Sequence, residues 1–409
     1  MATACGDTGS STPSTIPATT TGDAATATPI PSSTGANAST DASPSTDSSS
    51  TDAAPSTSAD DATGTPDDSL YGAYAGDFPI GVAIGQNHLA TVEPIITAEF
   101  NRITAENAMK MQSIQPTEGN FNFAEADLLA DYARGRSIAM TGHTFVWHRQ
   151  APAWLFADLT PEDEASIELL RSRLRTHIEA MVERYGDVVD NWDVVNEAIS
   201  DDASKVYRDA AEGSQWHEVF GGGDYVYWAF QYAYDALEAN EPGSAAGKLY
   251  YNDYNMTLKI DRVITMLDEV RARGVPVDGI GFQAHWRIGW PSVPEVQDAI
   301  QKAVDAGYSV KISELDLTVY ADYDATGAFD PAPEVPFTPE LEAQQADAYA
   351  ALFALFRSYG SNISSVTLWG VSDDATWLDH EPVPNRDNYP LLFDDDKQPK
   401  QAYFAVRDL

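Results

Sequence analysis

From Phe78 to the C-terminus the chain alternates short apolar runs with longer amphipathic ones, and this rhythm fixes its fold class. The apolar runs are 78–85, 102–107, 138–146, 188–196, 248–254, 279–286, 309–317 and 364–371. They are rich in Val, Ile, Tyr and Phe, the residues that suit a pleated, buried surface, and read as strands. Between them, stretches such as Glu162 to Tyr185, Ile260 to Gly274, Glu295 to Gly307 and Glu340 to Tyr359 place apolar residues at i, i+3 and i+4, the helical period. Gly274 and Gly307 stand where a helix C-cap is expected. Thr160-Pro161-Glu162-Asp163 and Thr338-Pro339-Glu340 read as N-caps with proline in the first turn.

Strands alternating with helices form a parallel sheet. Residues 71–409 number 339, and 339/8 is about 42 per repeat, which fits a (β/α)8 barrel with extended loops. No G-x-G-x-x-G follows a strand, and Gly221-Gly222-Gly223 lacks the lysine of a phosphate loop, so an open nucleotide-binding sheet is disfavoured. The loops 149–160, 200–223, 321–339 and 373–398 mostly follow strands, which in a barrel places them at the catalytic end.

Residues 1–70 differ in kind. They are Ser, Thr, Ala, Asp, Pro and Gly almost throughout, with no Lys, Arg or aromatic residue before Tyr71. Such a segment buries too little apolar area to offset its ordering entropy, so disorder is expected before a catalytic domain at 71–409. As a flexible coil it would span about 45 Å, the reach of a tether. Ala2-Thr3-Ala4-Cys5-Gly6 is similar to the small-residue end of a bacterial lipoprotein signal, and a lipid on Cys5 would anchor the domain to a cell surface. The competing reading is a stray cysteine. The expected location is extracellular or cell-surface.

Cys5 is the sole cysteine, so no intrachain disulfide forms. No apolar run approaches the length of a membrane span, and the N-terminus has no signal-peptide apolar core. The net charge of −39 argues against nucleic acid and anionic membranes as partners. Nine of those charges are Asp residues within 1–70, leaving 39 − 9 = 30 on the remainder.

Two strands end on glutamate, in Asn191-Trp192-Asp193-Val194-Val195-Asn196-Glu197 and in Ser309 to Leu317, which carries Glu314. Two carboxyls on different strands are the minimal equipment for cleaving a glycosidic bond. The other strand ends carry Glu106, Asn107 and Lys110; His143, Trp147, His148 and Gln150; Asn252, Asp253 and Tyr254; Gln283, His285 and Trp286; Asp316; and Trp369, with Asp374 and Trp377 beyond. Taken singly, a strand-end Glu is more often a salt-bridged residue, a lone His a satisfied core residue, and a Trp barrel packing. Their recurrence on consecutive strand ends favours a site. Amides, imidazoles and carboxyls interleaved with indoles suit a sugar, whose hydroxyls need polar partners and whose C–H faces need flat aromatic ones. His143 and His148 lack zinc-motif spacing, and no catalytic metal or cofactor is expected.

Here the sequence resembles glycoside hydrolase family 10, the endo-β-1,4-xylanases. The likeness rests on Ile103-Thr104-Ala105-Glu106-Asn107-Ala108-Met109-Lys110, Gly142-His143-Thr144-Phe145-Val146-Trp147-His148, Trp192 to Glu197, Ile280-Gly281-Phe282-Gln283-Ala284-His285 and Ile312-Ser313-Glu314-Leu315-Asp316. Pro390 to Asp394 and Gln398 to Tyr403 are similar to the family's closing segment. Ala108 and Phe145 stand where other residues are more usual.

The resemblance implies a (β/α)8 barrel and net retention of anomeric configuration. It implies Glu197 as general acid/base and Glu314 as nucleophile, with Glu197 raised in pKa by the anionic Glu314. His285 would lie between Glu314 and Asp316 and orient the nucleophile. Asn196 would bind the 2-hydroxyl of the sugar being cleaved. Lys110, His143, Gln283 and Trp369 would complete that subsite. Glu106, Asn107, Gln150 and Trp377 would line the next subsite toward the non-reducing end. Trp147 belongs to the substrate-binding set, Asn252 and Tyr254 would face the aglycone, and Asp193 would partner His143. The expected protein is a monomeric, retaining endo-1,4-β-xylanase acting on xylan and xylo-oligosaccharides. A β-1,4-glucanase or mannanase on the same barrel, or a non-catalytic glycan-binding barrel, are the alternatives.

Overall fold

The computed structural model describes residues 68–323 and 328–409. The segment expected to be disordered, and the lipid anchor at Cys5, lie outside the described residues except for 68–70. There the boundary shifts. Ser69 caps the short helix Leu70–Ala73, its hydroxyl accepting from Gly72 N at 3.0 Å, and Leu70 is fully buried. The folded part thus begins by Ser69 rather than at 71.

Among the described residues nine strands form: β1 Ile80–Ile84, β2 Arg102–Ala105, β3 Ala139–Val146, β4 Val189–Asn196, β5 Leu249–Asp253, β6 Gly279–Phe282, β7 His285–Arg287, β8 Ser309–Thr318 and β9 Ile363–Leu368. Every pairing among them is parallel. Neighbours run from β1 through β6 in order, then β8 and β9, and β9 pairs with β1. Eight strands therefore close a barrel, as expected. The short β7 runs beside the end of β8, with His285 opposite Asp316.

The run 279–286, read as one strand, is two. Ala284 takes φ +64, a left-handed conformation that costs a non-glycine residue roughly 1–2 kcal/mol. The break falls between Phe282 and His285 and re-aims Gln283 and His285 toward the strand ends.

Helices Glu164–Tyr185, Met256–Ala272, Val293–Asp305 and Pro339–Ser358 fill the expected intervals. Thr338 is an N-cap, accepting from Leu341 N at 3.3 Å, with Pro339 opening the helix. At the earlier helix the cap is Asp163, not Thr160; its carboxylate accepts from Ser166 N at 2.9 Å. Glu162 has φ +59, so the Thr160–Asp163 stretch turns before the helix starts. Gly274 and Gly307 follow their helices at φ +91 and +75, conformations that glycine adopts without penalty.

The wall between strands and helices is apolar, with Ile103, Met140, Val194, Ile280, Val310 and Val366 buried in a single core. The barrel interior is polar instead. Arg102 Nη1 donates to Thr141 Oγ1 at 3.2 Å, and Lys311 Nζ donates to Asn191 Oδ1 at 2.7 Å. Lys311 also pairs with Asp193 Oδ1 at 2.9 Å, both groups almost wholly buried. These residues alternate with the apolar ones along each strand, so the period of 2 is kept while the inward face carries charge.

Candidate active site

Glu197 and Glu314 are brought together just past the C-terminal end of β4 and just past the last β6–β8 pairing at Ile312. Glu197 follows β4 directly, in a left-handed conformation at φ +57. The turn is held from behind: Ala198 N and Ile199 N donate to Tyr251 Oη at 2.9 and 3.1 Å, and Arg208 Nε donates to Glu197 O at 3.2 Å. Glu314 lies within β8. Both side chains are buried.

A continuous chain of amides joins the two carboxyls. Asn252 Nδ2 donates to Glu314 Oε1 at 2.6 Å and to Asn196 Oδ1 at 3.0 Å. Gln283 Nε2 donates to Asn196 Oδ1 at 3.0 Å and to Glu197 Oε1 at 2.9 Å. Gly281 makes room for this chain, since a Cβ there would fall 2.3 Å from Asn252 Oδ1.

On its other oxygen Glu314 meets His285 Nε2 at 3.1 Å, and His285 Nδ1 meets Asp316 Oδ2 at 2.9 Å. Burial lowers the His285 pKa, but the flanking Asp316 and Glu314 outweigh it and raise it to about 10. The ring is therefore an imidazolium that donates both N–H groups. Trp377 Nε1 also donates to Asp316 Oδ2, at 2.9 Å, and packs its ring 5.0 Å from His285.

The environment of Glu197 corrects one expectation. Burial pushes its carboxyl up, but His148, the Gln283 amide, Trp147 and Arg208 together hold it below the usual glutamate value. A rise caused by Glu314 is not what the site shows. Glu314 instead faces the His285 imidazolium. His148 Nδ1 stands 3.7 Å from Glu197 Oε2 and is itself pushed down to about 4 by burial.

The remaining expected residues fall into three groups. Glu106, Asn107, Lys110 and Gln150 form a rim: Lys110 Nζ and Gln150 Nε2 donate to Asn107 Oδ1 at 2.9 and 3.3 Å, and Asn107 Nδ2 donates to Glu106 Oε1 at 3.1 Å. Lys110 also lies 4.8 Å over the Trp147 ring. His143 Nδ1 meets Asp193 Oδ2 at 3.0 Å, with Trp369 edge-on to the His143 ring at 5.5 Å. Asp193 is held below the usual range: burial raises it, and Lys311 and His143 more than compensate. Trp369 Nε1, Gln283 Oε1 and Gln150 Oε1 are buried without a protein partner, polar atoms of the kind that receive hydroxyls.

Asn252 and Tyr254 are tied into the site from within. Asn252 is fully buried beneath Glu314 and accepts from Ser313 Oγ at 2.5 Å. Tyr254 is buried, its hydroxyl accepting from Arg208 Nη2 at 2.7 Å and donating to Asp201, with Lys259 3.6 Å over its ring. Sequence reasoning missed Tyr251, Arg208 and Lys311 and gave His148 no role. Arg208 sits in a loop with no periodic signal, and Lys311 looked like any strand lysine.

A family model described as glycosyl hydrolase family 10 matches residues 69–409. The chain is 42% identical over 344 residues to endo-1,4-beta-xylanase A of Caldicellulosiruptor saccharolyticus, covering 83% of this chain and 95% of the relative. It is 40% identical over 341 residues to endo-1,4-beta-xylanase B of Paenibacillus barcinonensis, covering 83% and 97%. The crystal structure of an endo-1,4-beta-xylanase from Caldicellulosiruptor owensensis superposes with a TM-score of 0.73 at 39% identity, covering 83% of this chain and 99% of that one. A barrel with paired strand-end carboxyls, matched along nearly its whole folded length, belongs to glycosyl hydrolase family 10.

Proposed function

We propose that the protein is an endo-1,4-β-xylanase that hydrolyses internal bonds of xylan by a retaining double displacement. The observation that carries this reading is the amide chain from Glu314 through Asn252, Asn196 and Gln283 to Glu197. It fixes two carboxyls against one another while leaving each an oxygen outside that chain.

In the first step Glu314 attacks the anomeric carbon as Glu197 gives its proton to the departing glycosidic oxygen. In the second, Glu197 takes a proton from water, the resulting hydroxide adds to the same carbon, and Glu314 leaves as a carboxylate. Two inversions give net retention. The His285 imidazolium orients Glu314. Asn196, placed between the carboxyls, is suited to bind the 2-hydroxyl. Lys110, His143, Gln283 and Trp369 hold the sugar being cleaved; Glu106, Asn107, Gln150 and Trp377 hold its neighbour toward the non-reducing end, with Trp147 bracing Lys110.

Glu197→Gln and Glu314→Gln should each remove nearly all xylan hydrolysis, and NMR of early products should show the β-anomer first. Substantial activity in either variant, or an α-anomer first, refutes the roles. Rates on xylan against carboxymethylcellulose and mannan separate the substrate classes. Because a polymer such as xylan is too large to enter a cell intact, we infer that the enzyme acts outside it; a monomeric state, and a lipid on Cys5 as against a stray cysteine, are separate proposals. Mass spectrometry of native Cys5 and size-exclusion chromatography test those two points.

A further inference from the structure

The loops after β3 and β9 leave the barrel on strands separated by β1 and β2, yet one charged pair joins them. Arg149 Nη1 stands 4.0 Å from Glu381 Oε2. Among the described residues it is the one ion pair linking residues 147–160 with residues 373–398. The side chains are 30% and 24% exposed, but the two facing atoms are shielded from water and neither has a hydrogen-bond partner. Opposite charges shielded in this way attract more strongly than a solvated surface pair. They stand about 1 Å beyond hydrogen-bonding distance, an unmade contact that favours closure.

Each arm carries groups of the site. Arg149 sits between His148, which is 3.7 Å from Glu197 Oε2, and Gln150, which donates to Asn107 Oδ1 at 3.3 Å. Glu381 N donates to Trp377 O at 3.2 Å, and Trp377 Nε1 donates to Asp316 Oδ2 at 2.9 Å.

We propose that Arg149 and Glu381 are a positioning pair that latches these loops across the cleft, holding Gln150 and Trp377 as opposing walls of the sugar site. The inference rests on the xylanase reading above. A pair that shapes walls without touching the reacting atoms acts mainly on ground-state binding, so KM moves more than kcat.

The test is steady-state kinetics on xylotetraose for R149Q, E381Q, R149Q/E381Q and the swap R149E/E381R. Each single variant should raise KM about three- to tenfold with little change in kcat. The double variant should be no worse than the worse single, and the swap should recover much of the loss. Unmoved KM in both singles, or additive losses with no recovery in the swap, overturns the latch. Should a single variant fold poorly by thermal melt, the swap, which keeps both charges, decides the matter. A wild-type protein inert on xylotetraose would defeat the activity reading itself, whereas wild-type activity with indifferent variants defeats the latch alone.

Discussion

His285 presents Nε2 to Glu314 Oε2 at 3.1 Å while its other nitrogen is held by Asp316. Its pKa is raised from 6.5 to about 10, so the ring is charged wherever the enzyme is expected to work. A base with a raised folded-state pKa stabilises the fold fully below its unfolded value, and the contribution is lost as pH rises through the folded value. Stability from this group is therefore complete below about pH 6.5 and fades toward pH 10. His285→Gln should flatten the fall in melting temperature across that window and cut kcat sharply, because Glu314 loses the cation that orients it. A variant whose melting temperature falls with pH as steeply as the wild type would contradict this.

Glu197 gives a second pH dependence, with a different origin. In the free enzyme its carboxyl is held below the usual value, largely by His148 and the Gln283 amide against the opposing effect of burial. A general acid must be protonated, so activity falls as pH rises past its pKa. A bound sugar closes off the little solvent that still reaches the buried Glu197 and so disfavours its charged form, moving that pKa up. The alkaline limb of kcat/KM reports free enzyme and that of kcat reports the complex. The kcat limb should lie at higher pH than the kcat/KM limb. Coincident limbs would mean that substrate does not retune Glu197.

How much of this was legible in the sequence follows from which physical signals are local. The eight strands, and Glu197 and Glu314 at two of their ends, were readable because apolar period and strand-end position are encoded along the chain. The split at Ala284 was not, because a single left-handed residue leaves the apolar run unbroken in composition. Nor was the Asp163 cap, since Thr160-Pro161 offered a competing start ahead of a helix that begins at Glu164. The partners of Asn252 and Tyr254 were illegible for a related reason. A strand end shows that a side chain is near the site, but only its partners in space show that Asn252 props Glu314 and that Tyr254 is enclosed by Arg208, Asp201 and Lys259. The lowered Glu197 depends on His148, in the loop after β3, and Arg208, in the loop after β4, neither of which carries a periodic signal.

Lys311 carries the last prediction. It is a cation of the barrel interior, 2.9 Å from Asp193 Oδ1 and 2.7 Å from Asn191 Oδ1. Burial lowers its pKa and Asp193 opposes that fall. Removing one member of a buried ion pair strands the other charge, at a cost of about 3–5 kcal/mol. Lys311→Met keeps the aliphatic stem but leaves Asp193 with His143 as its remaining side-chain partner. The loss should therefore reach the site, because Asp193 is the carboxylate that holds His143 Nδ1. A large drop in melting temperature should come with reduced kcat, and Lys311→Met combined with Asp193→Asn should regain much of the stability by removing both charges. If the double variant is less stable than Lys311→Met alone, the pair is not the source of the loss. Recovery of stability without recovery of kcat is also expected, since a neutral amide in place of the Asp193 carboxylate cannot hold His143 in the same way.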